Sequence, residues 1–345
     1  MTLERFASRR YGSTTLVPRS ADSVRYLYSL DRDGLTPWLA VRIGSQLDLH
    51  RCITKMPHTK LLCYDRTRLF YQLCLCDHHC SLKYGRPPMT QDWRSLKSPS
   101  TFLHSEFSTH RDLALISQLE LWSTTRAVFE KFGADVESSA ASEKLDEVER
   151  LGQTYQDWHH TWGGILLSDK PTSSIAELYY NCGLLYLYSH IHRGKNQSLS
   201  PSPDVRFHSR FRASAHAILR IVTNGELRIM DLPSYFGTML AFATVSLIKV
   251  IRDGPWLEDD KHDILRLLGQ LTETFRQVKL PQPSSHPYVG ITKGLEQVAE
   301  GLHGGTDHTL VVPSNPAFDD SIFMDDVWNM DFTDFGGNWM GFDEH

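Results

Sequence analysis

Residues 143–162 read EKLDEVERLGQTYQDWHHTW. Leu145, Val148, Leu151, Tyr155, Trp158 and Trp162 follow one another at intervals of three or four, which puts all six on one stripe of a helix. The positions between them are mostly charged or amide-bearing, so the other face of that helix belongs to water. A half-buried strand would need apolar residues at every second position, and that alternation is missing. The segment is therefore predicted to be an amphipathic helix that needs other helices to cover its aromatic stripe.

The same period recurs on both sides. Thr36-Pro37-Trp38 is a helix start: Thr36 can cap the first free N–H groups, and Pro37 at the first helical position gives up no needed hydrogen bond. Leu39, Ile43 and Leu47 then share a face, predicting a helix to about His50. Residues 62–83 follow, with Leu69, Leu73, Cys76 and Cys80 as the expected buried stripe and Gly85-Arg86-Pro87-Pro88 as the stop. Further periodic segments lie near 110–133, 172–192, 206–223, 233–252 and 257–279. Turn-rich stretches separate them at Gly85 to Ser108, Arg193 to Asp204 and Leu280 to Pro287. The expected fold class is all-α, with about eight or more helices. It divides into a flexible N-terminus at 1–19, a helical region at 20–302, and a linker with a disordered acidic-aromatic tail at 303–345.

Charge separates the tail from the body. From Phe318 to His345 there are eight acidic residues and no Lys or Arg. Removing those eight negative charges from the overall −5 leaves residues 1–317 at +3, too weak a balance for an electrostatic nucleic-acid footprint. Within the tail, Phe318, Phe323, Trp328, Phe332, Phe335, Trp339 and Phe342 recur every three to five residues among the acids. Mutual repulsion of the acids keeps the aromatics solvated and available, so a partner groove can capture them. Acidic-hydrophobic alternation of this kind is the composition of activation segments. The competing reading is a tail that folds back over the helical body.

Six cysteines without an apolar signal segment argue for a reducing compartment. Cys74, Cys76 and Cys80, with His78 and His79, are the only cysteine clustering, but on a helix Cys74 and Cys76 point apart, so no metal site is expected there. The apolar run from Tyr235 to Ile251 contains Lys249 and is shorter than a membrane span, so it reads as a core helix. No Gly-x-Ser-x-Gly, no phosphate-cradling Gly-rich loop with Lys and no His-Glu-x-x-His is found, so no catalytic residues are assigned. Asp157, His159, His160, His190 and His192 are read as satisfied surface or boundary residues.

Two segments carry a family resemblance. Trp38 to Arg51, WLAVRIGSQLDLHR, resembles the helix of the fungal-specific transcription factor domain that ends in leucine-glycine-leucine-histidine-arginine, with Asp48 where the glycine usually stands and His50-Arg51 closing the motif. Downstream, Arg66, Arg68, Asp77 and Gly85-Arg86-Pro87 resemble that domain's second signature, in which Phe70 and Tyr71 replace tryptophans and His78 replaces an arginine. A reading from the residues alone is structural: Asp77 lies late in its helix, where the dipole disfavours an anion, so a cation is expected beside it, and Arg86 is in place to reach back.

The resemblance implies a helical regulatory region (the middle homology region) of a fungal zinc-cluster transcription factor, acting on RNA polymerase II transcription in the nucleus. It also implies a C-terminal segment that contacts transcriptional coactivators. In that family promoter DNA is bound through an N-terminal cluster of six thiolates on two zinc ions; these residues contain no such set, so no cofactor is expected in this chain and DNA contact is expected only through a missing domain or a partner. Homodimerisation is left open, and no membrane partner is expected. The alternative is a helical scaffold or interaction protein with a self-masking tail.

Overall fold

In a computed structural model the described residues are 37–49, 59–83, 88–90, 99–133, 145–166, 170–192, 205–229, 232, 235–253 and 258–277. Among them are nine helices: α1 Pro37–Gln46, α2 Lys60–Lys83, α3 Pro99–Leu103, α4 His110–Phe132, α5 Leu145–Leu166, α6 Lys170–His192, α7 Val205–Thr223, α8 Tyr235–Asp253 and α9 Glu258–Gln277. The all-α expectation holds for these residues. The one helix that periodicity did not predict is α3, five residues inside the turn-rich stretch and too short to repeat an apolar position.

The helices fall into two compact units. One holds α1, α2, α3 and α4 as far as Arg126, the other runs from Ala127 through α9.

In the first unit α2 is the centre. Every residue from Phe70 to His79 is buried, including Gln72, Asp77, His78 and His79. The expected stripe of Leu69, Leu73, Cys76 and Cys80 is therefore too narrow, and Leu69 and Cys80 are only half-buried. A helix enclosed on all sides has no solvent face and so no contrast between faces to read from sequence. Phe102 of α3 stacks on Tyr64 at 5.2 Å between ring centroids and meets Tyr71 edge-on at 5.1 Å. Trp122 of α4, 1 % exposed, meets His79 edge-on at 5.2 Å. Past Arg126, in the second unit, Gly133 ends α4 in the left-handed region at φ 73°, where a side chain would be strained.

In the second unit α5 turns Val148, Leu151, Tyr155, Trp158 and Trp162 inward, as its period predicts. Burying side chains of this size contributes roughly 1.5–3 kcal/mol each. The helix packs on α6 through a reciprocal fit. A β-carbon at Gly183 would lie 2.5 Å from Tyr155 Cε1, and one at Gly152 would lie 3.0 Å from the Tyr188 hydroxyl. Each helix thus supplies a tyrosine to the bare backbone of the other, and the opposite chain order of the two contacts makes the pair antiparallel. Beyond it α7 packs on α6, α8 and α9. Tyr188 meets Phe207, Phe211 meets Phe242, and Tyr179 of α6 meets Phe236 of α8.

Polar ties close the edges of this unit. The Arg210 guanidinium on α7 reaches both carboxylate oxygens of Glu149 on α5, at 2.8 and 3.3 Å. His216 Nε2 lies 2.6 Å from Asp263 on α9. His159 Nε2 lies 2.5 Å from Glu177 on α6, and this hydrogen bond raises the imidazole pKa above its ordinary value against the opposing effect of burial. A raised folded-state pKa stabilises below the unfolded value of about 6.5 and ceases to do so as pH climbs past the folded value. We therefore expect the stability advantage of the native protein over His159→Gln to shrink between about pH 6 and pH 8 by less than about 1 kcal/mol, because both partners are substantially exposed. Paired urea unfolding at the two pH values checks this; an advantage that grows with pH would refute it.

Candidate functional site

The two signature segments fall on α1 and α2, and the structure brings part of them together. After Gln46 the chain makes one last turn. Leu49 N–H donates to Gly44 O at 3.0 Å and Asp48 N–H to Ser45 O at 3.0 Å, the paired bonds of a Schellman cap. Such a cap requires its first residue past the helix to be left-handed, and Asp48 sits there at φ 51°. This is the position at which Asp48 replaces the glycine of the resembled pattern, and the reason for a glycine is visible: only it takes this conformation without side-chain strain, while Asp is among the few others that tolerate it. The predicted end at about His50 is late by one turn for the same reason: the cap stops the helix at Gln46. Leu49, 7 % exposed, then folds back under α1.

Arg66 completes the joint. One of its terminal nitrogens donates to Leu47 O at 2.8 Å and to Asp48 O at 3.1 Å, so a cation neutralises the negative end of the α1 dipole and satisfies carbonyls the helix leaves open. Asp48→Gly is accordingly expected to stabilise the protein by about 0.5–1 kcal/mol by relieving the left-handed strain. A thermal midpoint at or below that of the native chain would contradict this.

Arg68, two residues on, serves a different partner. Its Nε donates to Asp112 Oδ1 at 2.7 Å, with the Asp112 side chain fully buried and Arg68 largely so. Asp112 Oδ2 accepts three more bonds: from the Tyr64 hydroxyl at 2.6 Å, from Thr109 N–H at 2.7 Å and from the Thr109 hydroxyl at 2.9 Å. Thr109 also accepts Asp112 N–H on its carbonyl, which makes the Thr109-His110-Arg111-Asp112 segment a cap for the start of α4. Burial, and then the hydrogen bond to Asp112, push the Tyr64 phenol well above its ordinary range. Four donors on one carboxylate are what allow the charge to remain inside.

Asp77 has a partner that the sequence reading does not name. Its Oδ2 accepts the N–H and the hydroxyl of Thr90, each at 2.6 Å, so the loop after α2 is fastened by two neutral donors. The cation expected from Arg86 lies outside the described residues, as do His50, Arg51, Gly85 and Pro87 and the side chain of Trp38. Next to Asp77, His78 is 4 % exposed, and burial together with the Arg126 charge lowers its pKa to about 4. His79 is lowered as well, by burial first and His78 second. Neutral imidazoles are thus part of the packing here. Burial raises the thiol pKa of both Cys74 and Cys182. Among the described residues no group of three or more His, Cys, Asp or Glu gathers in metal-binding geometry.

The histidines of the second unit divide. His160 is exposed, and His159 is held by Glu177. His190, read as a surface or boundary residue, is instead 1 % exposed, stacked on Phe132 at 5.2 Å and edge-on to Tyr186 at 5.0 Å. The period puts it on the same inward stripe as Leu187 and Ile191, which outweighs its polarity. His192 carries no description of its side chain, and the seven tail aromatics, Phe318, Phe323, Trp328, Phe332, Phe335, Trp339 and Phe342, lie outside the described residues.

Two participants had no place in the sequence reading, Tyr64 and the Thr109–Asp112 pair. A threonine three residues before an acid, directly ahead of an apolar run, is a readable capping signal. Tyr64 had no such signal, because its partner is 48 positions away. The joint binds helix ends and a loop to one another through Arg66, Arg68, Asp77 and Asp112; its chemistry is that of fastening.

No family model matches the chain, and no solved structure matches it. Among curated proteins it is similar to the transcriptional activator of proteases prtT of Emericella nidulans, with 25% identity over 296 residues. The match takes in 77% of this chain and 44% of that protein, so the chain spans less than half the length of the relative. No described helix is long and apolar enough to cross a membrane.

Proposed function

We propose that this chain is a regulator of RNA polymerase II transcription of the fungal zinc-cluster type. In this reading residues 20–302 form its helical regulatory region, and the acidic-aromatic segment within 303–345 engages transcriptional coactivators in the nucleus. The observation that carries the reading is the similarity to a fungal transcriptional activator over most of the chain. The joint of α1 and α2 supports it, because Asp48 holds the left-handed conformation at the place where the resembled motif has glycine. Promoter DNA is reached, on this reading, through a zinc cluster that these residues do not contain, and the chain itself carries out no catalysis.

The test is to fuse residues 303–345 to a heterologous DNA-binding domain and follow a reporter gene. Activation well above the DNA-binding domain alone is expected. Replacing Trp328 and Phe332 together by Ala is expected to bring it near background, since loss of two anchors of about 1.4 kcal/mol each lowers coactivator affinity on the order of a hundredfold. A fusion that fails to activate would remove the activation role; activation unaffected by the double substitution would remove the aromatic contacts from it.

A further inference from the structure

We draw no further inference here: the strongest candidate, the exposed apolar patch of Leu47, Leu61 and Leu62 where the end of α1 meets the start of α2, carries nothing because nothing in the structure shows what covers it.

Discussion

Asp112→Ala is expected to destabilise the first unit by about 3–5 kcal/mol, because it leaves the largely buried Arg68 charge and the half-buried Tyr64 hydroxyl without their acceptor and removes the side-chain partner of Thr109. It also removes the anion that caps the start of α4. Asp112→Asn should cost less, since an amide oxygen can still accept from Thr109 and Tyr64 at the Oδ2 position, while both the charge and the acceptor facing Arg68 are lost. Folded domains are held by only about 5–15 kcal/mol, so the alanine variant is close to the limit and the asparagine variant keeps the comparison measurable. Urea unfolding of the native chain and both variants gives the order; an alanine variant within about 1 kcal/mol of native would show that the carboxylate does not organise this unit.

The second large effect is expected at Gly183. Alanine is the better helix former by about 1 kcal/mol, so on an exposed face Gly183→Ala would stabilise. Here the new methyl would stand 2.5 Å from Cε1 and 3.0 Å from Cζ of a tyrosine ring that is itself fully buried. A rigid ring enclosed on all sides cannot turn aside as a flexible chain end could, so the helices must part, and overpacking of this kind costs about 1–3 kcal/mol. Tyr155→Leu alone should also destabilise, by leaving a cavity, yet in the double variant part of the loss should return because the methyl then has space. A double-mutant cycle read by thermal unfolding decides the matter. Strict additivity would mean that the two residues do not touch in the way described.

Much of the helical framework was legible in the sequence. The segments read near 110–133, 172–192 and 206–223 became His110–Phe132, Lys170–His192 and Val205–Thr223, because a two-sided helix advertises its period. The candidate site was less so, and its residues show why. Arg68 and Asp112 are 44 positions apart, Tyr64 and Asp112 are 48, and no local pattern announces a partner at that separation. Helix-dipole reasoning counts charges and so names Arg86, which lies outside the described residues, for Asp77; the two neutral donors of Thr90 that its Oδ2 accepts carry no charge to be counted. His190 was judged by its polarity when its register mattered more. The helix over 62–83 is legible, but the burial of Phe70 to His79 is not, since enclosure on every side erases the contrast on which periodicity depends.

The reciprocal seating of Tyr155 on Gly183 and of Tyr188 over Gly152 has a consequence for descent. Tyr155 keeps its place only while position 183 has no side chain, and Tyr188 is bound in the same way, though less tightly, to position 152. A lineage is therefore expected to drift widely over the solvent faces of α5 and α6, and to change these four positions as two linked pairs or through a weakened intermediate. Kinship in this part of the chain would then be written in the sizes of paired residues, a kind of inheritance that position-by-position identity records poorly.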